Sequence, residues 1–273
     1  MYSRAYVEIT NICNMHCSFC HGHNRPPRQL TLEEFGHILS QLEGVTQYIY
    51  YHLMGEPLLH PKLPEFLRLA KQRGFFSMLT TNGTLLHKHG QALLDAGVHK
   101  VSISVHSFES GTPESHRQYL SQIADFAKEA TARGTIVCLR LWNRGCDEGR
   151  NRDTEACLRE FLPGEWAENT RGYRLRDKLF LEYGDRFIWP DRENDEQAGT
   201  LTCYGMRDQF GILSDGTVVP CCLDSDGVIN LGNVFSQPLQ EILSSRRAQR
   251  IAEGLRNKKA VEALCRRCPY AHR

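Results

Sequence analysis

The stretch CNMHCSFC, residues 13–20, decides the fold of this chain, because it places Cys13, Cys17 and Cys20 at C-x3-C-x2-C spacing. It follows a run of β-forming residues, 5–10, so the cysteines lie in the loop after the first predicted strand. This spacing brings three thiolates into one small volume. An iron–sulfur cube has four irons, so three thiolates leave one iron without a protein ligand. A small chelating molecule can bind at that iron and receive an electron from the cluster.

Two other interpretations of the three cysteines are a zinc knuckle and unrelated buried thiols. A structural zinc site generally needs a second C-x2-C or a His pair at finger spacing. His21 and His23 stand nearby as candidates for a fourth ligand. The cluster is favoured once the later cysteines and a Gly-Glu-Pro stretch are counted.

The motif Cys13-x3-Cys17-Ser18-Phe19-Cys20, with an aromatic residue before the last cysteine, resembles that of the radical S-adenosylmethionine (AdoMet) superfamily. The resemblance implies that the three cysteines hold a 4Fe-4S cluster whose open iron binds AdoMet. One electron then breaks the C–S bond and gives methionine and a 5′-deoxyadenosyl radical. The resemblance also puts the backbone near Phe19 against the adenine.

Composition and charge restrict the class of protein. The 273 residues are 41% hydrophobic, enough for one large domain plus a small one, and the net charge of +1 does not favour nucleic acid as a partner. There is no apolar run of membrane-spanning length, and the N-terminal residues read as a strand rather than a signal peptide. Eleven cysteines without a signal peptide indicate metal ligation in a reducing cytoplasm, with no membrane partner.

Short runs of β-forming residues alternate with helical patterns along most of the chain. The predicted strands are residues 5–10, 48–53, 75–80, 100–106, 135–141 and 178–182. The predicted helices are residues 32–42, 62–73, 88–96, 114–133 and 153–161. Six such units predict an α/β fold with a parallel sheet curled as a partial (β/α)6 TIM-like barrel, over residues 1–200.

The fourth predicted strand shows what fills this barrel. Its apolar positions, expected to face the outer helices, are Val101, Ile103 and Val105. Its alternate positions are polar: Ser102, Ser104 and His106. A partly polar interior predicts a cavity that holds a ligand, although some of these groups are expected to satisfy one another.

Met54-Gly55-Glu56-Pro57 follows the second predicted strand and resembles the family's GGEP motif, which holds the AdoMet ammonium group. Met54 replaces the first glycine of that motif. Gly55 still permits a close backbone approach, and Glu56 can accept a hydrogen bond from the amine.

Further contacts to AdoMet are predicted at the rim of the barrel. Asn82 lies in a turn after the third strand, and Ser104 and Arg140 match the positions of ribose and carboxylate contacts in related enzymes. The fork of guanidinium donors on Arg140 suits a carboxylate. Glu182, His106 and Arg140 are the candidates for a catalytic base, and Asp185 is a further acid near the substrate.

A second set of cysteines closes the chain. Cys203 and Cys221 flank a predicted hairpin, residues 209–213 and 217–220 with an Asp-Gly turn, and Cys265 and Cys268 follow a helical run near residues 239–255. Four thiolates satisfy a cube with no open iron, and a four-Cys zinc ribbon is the alternative.

The C-x12-G-x4-C spacing followed by C-x2-C resembles the twitch domain, a short form of the SPASM extension of radical AdoMet enzymes. We therefore expect residues 201–273 to carry one auxiliary 4Fe-4S cluster, held by the four cysteines of this second set. The remaining cysteines are interpreted as packing or surface thiols: Cys138, Cys146, Cys157 and Cys222.

The cysteine pattern and short length resemble the 2-deoxy-scyllo-inosamine dehydrogenase type of twitch enzyme. This implies dehydrogenation of a polar small molecule, with the auxiliary cluster as electron acceptor and a flavodoxin- or ferredoxin-type reductant. The alternatives are modification of a ribosomally made peptide and a non-catalytic redox sensor or electron carrier. Only twelve residues precede Cys13, so we expect no N-terminal leader-binding domain and favour a small substrate.

Overall fold

Six parallel strands form the centre of the computed structural model, which describes residues 1–272. In sheet order they are β1 (Arg4–Val7), β2 (Tyr48–Tyr50), β3 (Phe76–Thr81), β4 (Lys100–Ser104), β5 (Ile136–Arg144) and β8 (Leu179–Asp185). Each predicted strand corresponds to one of them. The α/β fold with a partial (β/α)6 barrel is therefore confirmed.

Five helices connect these strands and pack on the outside of the sheet. They are α1 (Leu32–Leu42), α2 (Leu63–Gln72), α3 (Leu86–Ala96), α4 (Pro113–Ala132) and α5 (Arg150–Phe161). α1 begins with a capping box, in which Thr31 accepts from the Glu34 backbone N–H and the Glu34 carboxylate accepts from the Thr31 N–H. The local signals therefore place this helix at the predicted boundaries. All helices among residues 1–272 are too short or too polar to cross a bilayer.

The predicted C-terminal hairpin forms as β9 (Gln209–Ile212) and β10 (Val218–Val219), paired antiparallel. β9 also pairs in parallel with β1, so the hairpin extends the barrel sheet. The sequence gives no sign of this pairing, because a strand's partner across the chain depends on tertiary packing.

A second hairpin, which was not predicted from the sequence, precedes the sixth strand of the barrel. It consists of β6 (Ala167–Asn169) and β7 (Gly172–Arg176), and β7 pairs antiparallel with β8. These strands are short, charged and mostly exposed, so they lack the apolar alternation that marks a strand. The sheet has ten strands in all within the described residues.

The predicted helical run near the C-terminus is two helices rather than one. They are α6 (Leu239–Ser244) and α7 (Arg246–Arg256), followed by the short α8 (Ala263–Arg266). The break falls at Ser245, whose hydroxyl accepts from the Ala248 backbone N–H at 3.3 Å and caps α7.

The carboxylate of Glu8, at the end of β1, is fully buried and joins three distant parts of the chain. It accepts two hydrogen bonds from the Arg25 guanidinium, at 2.8 and 2.7 Å, one from the Met54 N–H at 3.2 Å, and two from Ser214. Arg25 also donates to the Ser225 carbonyl oxygen at 2.8 Å. This ion pair therefore ties the loop after the first cysteine set to the C-terminal hairpin.

We expect the substitution Glu8→Gln to leave the buried Arg25 without a counter-charge and to lower the free energy of unfolding by about 3–5 kcal/mol. Urea denaturation of the cluster-loaded protein without oxygen measures the change. Asp177→Asn, which breaks the exposed pair with Arg174, is the control and should have little effect. Equal stability of the two variants would contradict a structural role for this ion pair.

Candidate active site

The three cysteines of the first set lie in a loop without helix or strand, between β1 and α1. The Cys20 N–H donates to the Cys17 carbonyl oxygen at 3.0 Å, which closes a tight turn. The pKa of Cys17 is raised to about 12, first by burial and then by the Glu109 carboxylate and the thiols of Cys20 and Cys13. The three thiols are therefore close enough to influence one another. No three His, Cys, Asp or Glu side chains in residues 1–272 converge on one metal ion. A cube does not need such convergence, because each thiolate binds a different iron.

Two other segments hold the backbone of this loop in place. The Glu109 carboxylate accepts from the backbone N–H and the hydroxyl of Ser18, both at 2.6 Å. From the segment after β8, Arg186 donates to the Ser18 carbonyl oxygen and the Trp189 indole N–H donates to that of Phe19, both at 2.9 Å. Glu109, Arg186 and Trp189 were not predicted as site residues. Arg186 and Trp189 lie in a charged stretch with an aromatic residue and a proline, which was their only signal, and Glu109 had none.

Gly55 lets the Gly-Glu-Pro loop approach the cysteine loop closely. Its φ is +78°, and a Cβ there would lie 2.3 Å from the Thr10 carbonyl oxygen and 2.9 Å from the Asn11 backbone. The next residue, Glu56, donates its N–H to the Ile12 carbonyl oxygen at 2.8 Å. The close approach predicted for Gly55 is therefore made to the chain just before Cys13.

The Glu56 carboxylate is buried and bonded within the protein. Oε1 accepts from the Leu58 N–H at 3.0 Å and the Thr81 hydroxyl at 2.8 Å, and Oε2 accepts from the Asn82 N–H at 2.7 Å. Burial raises the pKa of this carboxyl group, and the three hydrogen bonds oppose that shift. Glu56 thus joins its loop to the end of β3, and Oε2, which accepts one hydrogen bond, keeps a second lone pair; its contact with an ammonium group stays a prediction.

Asn82 also contacts the cysteine loop. Its Nδ2 donates to the Asn14 side-chain oxygen at 2.9 Å, and its Oδ1 accepts from the backbone and hydroxyl of Thr84. The Tyr119 hydroxyl donates to its carbonyl oxygen at 2.7 Å. The side chain of Asn82 therefore supports the loop that carries Cys13 and Cys17, and a direct contact to AdoMet stays a prediction.

Four predicted site residues come together around one cavity of about 210 Å³ inside the barrel: Phe19, Ser104, His106 and Arg140. The register of β4 and β5, in which Ser104 lies opposite Arg140, brings two of them side by side. The wall is completed by residues from the segment after β2, from β3 and β5, from the segment after β8 and from the C-terminal domain: His52, Leu53, Thr80, Trp142, Arg186, Phe187, Trp189, Cys222 and Leu223.

Two polar atoms in this wall are buried without a hydrogen-bond partner, namely Nε of Arg140 and Nδ1 of His52. The Arg140 guanidinium lies 4.4 Å from the centre of the Trp142 ring. Burial, aided by the nearby Arg140 charge, lowers the pKa of His52 to about 3, so its ring is neutral at pH 7. A cation whose buried Nε has no partner fits a ligand that carries a carboxylate, as AdoMet does.

His106 lies beside Arg140 and against Phe19. Its Nδ1 is 2.9 Å from the Arg140 carbonyl oxygen and 3.3 Å from the Trp142 backbone nitrogen, and its ring centre is 4.7 Å from that of Phe19. The shorter contact favours a proton on Nδ1, which leaves a lone pair on Nε2. Burial lowers the pKa of His106, so the ring is neutral at pH 7.

Glu182 is not among the residues that line this cavity, although it lies opposite Arg140 in the pairing of β5 with β8. Its carboxylate instead interacts with the buried thiol of Cys138. Asp185 is exposed at the end of β8. Of the proposed bases, only His106 and Arg140 lie at the cavity.

The four cysteines of the second set line one small, apolar cavity between the C-terminal helices and the hairpin: Cys203, Cys221, Cys265 and Cys268. The other wall residues include Leu201, Ile229 and Leu255. Burial raises the pKa of Cys203, Cys221 and Cys265, and the charges of these thiols influence one another. The Gly205 N–H donates to the Cys203 sulfur at 3.3 Å, as suits a thiolate ligand. Four thiols converging on an apolar space fit a fully ligated cube.

The segment between β8 and Cys203 connects the two cysteine sets. Asn194 donates to the carbonyl oxygens of Trp189, at 2.8 Å, and Arg267, at 3.2 Å. The Gln197 N–H donates to the Arg266 carbonyl oxygen at 2.9 Å. The Trp189 indole N–H also donates to the Phe19 carbonyl oxygen, so this segment contacts both cysteine loops.

Cys222 was interpreted from the sequence as a packing thiol, and it does pack against the apolar cluster of Tyr6, Leu53, Leu213 and Val219, while the residue also borders the barrel cavity. The preceding residue, Cys221, lines the cavity of the second set. The sequence indicates this placement only by the adjacent pair Cys221 and Cys222. The C-x12-G-x4-C motif ends at Cys221 and does not include Cys222.

We expect Gly55→Ala to push the Gly-Glu-Pro loop away from the cysteine loop, so that about four irons per chain are lost with the first cluster. Gly74→Ala is a matched control, because Gly74 has φ +80° but nothing within 4 Å of its Cβ position. Iron per chain after reconstitution without oxygen is the measurement. An iron content of Gly55→Ala equal to that of the control would contradict the tight contact.

We expect Arg140→Gln to weaken binding of S-adenosylhomocysteine about tenfold or more, because a charge-assisted hydrogen bond to the ligand carboxylate is lost. Calorimetry on the cluster-loaded protein gives the dissociation constant. Arg144→Gln, on the same strand but exposed, is the control. Equal affinities of the two variants would remove Arg140 from the ligand site.

Comparison with known protein families places this site in context. The model of the radical SAM superfamily matches residues 7–142, and that of the SPASM iron–sulfur cluster-binding domain matches residues 203–269. Together they match about three quarters of the chain.

Curated relatives match mostly over two fifths to half of this chain. GTP 3′,8-cyclase of Chlorobaculum tepidum is 34% identical over 107 residues, which are 38% of this chain and 32% of that protein. The chain thus aligns with about a third of that relative's length. A probable GTP 3′,8-cyclase of Methanothermobacter marburgensis is 24% identical over 307 positions, covering 97% of this chain and 94% of that protein.

Solved structures share the fold over nearly the whole chain. BtrN in complex with AdoMet and 2-DOIA has a TM-score of 0.62 at 18% identity, covering 98% of this chain and 93% of that one. The enzyme anSMEcpe with bound AdoMet has a TM-score of 0.63 at 14% identity, covering 93% and 83%. With the two family models, these findings show that the chain belongs to the radical SAM superfamily, as an enzyme with a C-terminal SPASM-type domain that uses 4Fe-4S clusters and AdoMet.

Proposed function

We propose that this enzyme dehydrogenates a polar small molecule, at a carbon that bears a hydroxyl or amine group. One observation carries the proposal. The loop of the first three cysteines contributes Phe19 to a cavity whose wall holds two buried nitrogens without a partner, whereas the other four cysteines line a separate apolar cavity. The first arrangement suits a cluster with an open iron and the second suits a cluster that only exchanges electrons.

The residues that would hold the two iron–sulfur clusters are the cysteines predicted from the sequence. Cys13, Cys17 and Cys20 would bind the first cluster. The auxiliary cluster would be bound by Cys203, Cys221, Cys265 and Cys268. When bound, the first cluster and AdoMet supply a radical that takes a hydrogen atom from the substrate, and the auxiliary cluster supplies an acceptor for the next electron.

The cavity residues bind and orient the ligands. Arg140 pairs with the carboxylate of AdoMet, and the neutral His52 offers a hydrogen bond from the same wall. Gly55 and Glu56 hold the loop that receives the ammonium group, with Phe19 against the adenine. Apolar side chains exclude water, which would otherwise quench reactive species: Leu53, Phe187, Trp189 and Leu223.

A dehydrogenation also releases one proton, and His106 is the best-placed base for it. Its Nε2 carries the lone pair when Nδ1 donates to the Arg140 carbonyl oxygen. Its lowered pKa keeps the ring neutral and able to accept a proton at pH 7. Glu182 would need a rearrangement of its contact with Cys138 to take this role.

A polar small molecule is supported by the structural likeness to BtrN, whose complex holds AdoMet and 2-DOIA. A peptide substrate is the second candidate. It is favoured by a larger cavity of about 420 Å³ that shares Phe19, His106 and Arg186 with the first and so offers room for a longer ligand. We further propose a cytoplasmic enzyme served by a flavodoxin- or ferredoxin-type reductant, since AdoMet cleavage needs a one-electron donor.

The reconstituted protein should contain about eight irons per chain if two cubes are present. The double variant Cys265→Ser/Cys268→Ser should lose about four of them. It should still form 5′-deoxyadenosine but no oxidised product, because the electron acceptor is missing. Iron analysis and chromatography of the products measure both outcomes.

The matched control is Cys146→Ser/Cys157→Ser, two thiols outside both cysteine sets, which should keep all the iron. Unchanged product formation by the Cys265→Ser/Cys268→Ser variant would reject the auxiliary cluster as electron acceptor. About four irons in the unmodified protein would remove that cluster altogether.

A further inference from the structure

Glu109 places a carboxylate against the loop of the first cysteine set. Its two oxygens accept from the backbone N–H and the hydroxyl of Ser18, both at 2.6 Å. Ser18 directly follows Cys17 in the chain. After burial, the Glu109 carboxylate is the largest cause of the raised pKa of the Cys17 thiol. The negative charge of Glu109 therefore acts on a sulfur that is proposed to hold the first cluster.

The backbone around Glu109 holds the carboxylate in this position. The Glu109 N–H donates to the Ser107 carbonyl oxygen at 2.9 Å, and the Glu109 carbonyl oxygen accepts from the Arg150 guanidinium at 2.7 Å. The Cys17 sulfur lies 3.8 Å from that same Ser107 oxygen. The segment of residues 107–109 thus contacts the cysteine loop at two adjacent residues, Cys17 and Ser18.

The charge of Glu109 is not neutralised by an ion pair. Within residues 1–272, no Lys, Arg or His nitrogen lies within 4 Å of its carboxylate oxygens. Arg150 contacts the carbonyl oxygen of Glu109 and forms its ion pair with Glu148, at 3.7 Å. The Glu109 side chain is half-buried, so solvent screens its charge only in part.

Nearby charge and hydrogen bonds to the sulfurs set the reduction potential of an iron–sulfur cluster. A negative charge close to the cluster makes the addition of an electron less favourable, and Glu109 supplies such a charge. Glu109 also affects the hydrogen bonds. The N–H and the hydroxyl of Ser18 donate to the Glu109 carboxylate, so these two donors beside Cys17 do not donate to sulfur. Both effects lower the potential.

We propose that Glu109 is a positioning residue that also keeps the reduction potential of the first cluster low, through its charge beside Cys17. The inference rests on the proposed function for the placement of that cluster on Cys13, Cys17 and Cys20. One electron passes from the carrier protein to the cluster and from there into the C–S bond of AdoMet, which breaks to methionine and the 5′-deoxyadenosyl radical. The charge of Glu109 favours the second of these transfers at the expense of the first.

The test measures a potential and needs no substrate. Cluster-loaded protein is titrated without oxygen in the presence of redox dyes and followed by electron paramagnetic resonance. The signal that is missing from the Cys13→Ser/Cys17→Ser variant identifies the first cluster. We expect Glu109→Gln to increase the ratio of reduced to oxidised first cluster about tenfold at a given applied potential, a rise of about 59 mV for one electron. Iron per chain verifies that each variant has loaded.

Two further variants separate the charge of Glu109 from its shape and from the net charge of the protein. Glu109→Asp keeps the charge on a shorter side chain, so its potential should shift by less than half as much. Glu168→Gln removes an exposed acid on β6, at the edge of the sheet, and should leave the potential unchanged. Equal potentials of Glu109→Gln and Glu168→Gln, or equal shifts in Glu109→Gln and Glu109→Asp, overturn the role of the Glu109 charge.

Arg186 allows a test of opposite sign at the same loop residue. Its guanidinium donates to the Ser18 carbonyl oxygen at 2.9 Å, so Arg186→Gln removes a positive charge and should lower the potential of the first cluster. This variant decides the question if Glu109→Gln does not load iron. An unchanged or higher potential in Arg186→Gln contradicts control by charges at Ser18. Absence of any cluster signal that depends on Cys13 and Cys17 would instead overturn the proposed function itself.

Discussion

The buried carboxylate of Glu8 is the interaction on which the arrangement of the molecule depends. It accepts five hydrogen bonds, from Arg25, Met54 and Ser214, and has no solvent exposure. A buried charge is tolerated only when paired and fully bonded, so the three segments that supply these donors have little freedom to separate. They are the loop after the first cysteine set, the Gly-Glu-Pro loop and the C-terminal hairpin. Together with the pairing of β9 and β1, this ion pair holds the C-terminal hairpin against the barrel.

Around this centre, irregular loops are held by contacts from elsewhere in the chain. The cysteine loop has no helix or strand, so its shape depends on Glu109, Arg186 and Trp189 bonding to Ser18 and Phe19. Regular structure would satisfy its backbone internally and leave no room for a cluster and its ligand. The neighbouring Gly-Glu-Pro loop adds a steric constraint, since Gly55 meets the Thr10 backbone without space for a side chain.

The barrel cavity combines features that are costly in a folded protein. Arg140 and His52 keep buried nitrogens without partners, and His106 is a neutral imidazole beside them. Such groups lower stability unless a ligand completes them, which is why they cluster where AdoMet is proposed to bind. The same wall includes Cys222, and its neighbour Cys221 lines the cavity of the second cysteine set.

The sequence by itself determined the order of the six βα units, the boundaries of α1, the C-terminal hairpin and the two cysteine sets. These features follow from periodicity, capping and spacing, which act over a few residues. Only the tertiary structure decided that β9 joins β1, that Glu182 lies away from the barrel cavity, and that Cys222 lines it while Cys221 does not. Those outcomes depend on contacts between residues far apart, such as Glu8 with Ser214 and Phe19 with Trp189. Local patterns carry no information about such pairs, because packing of the whole chain brings them together.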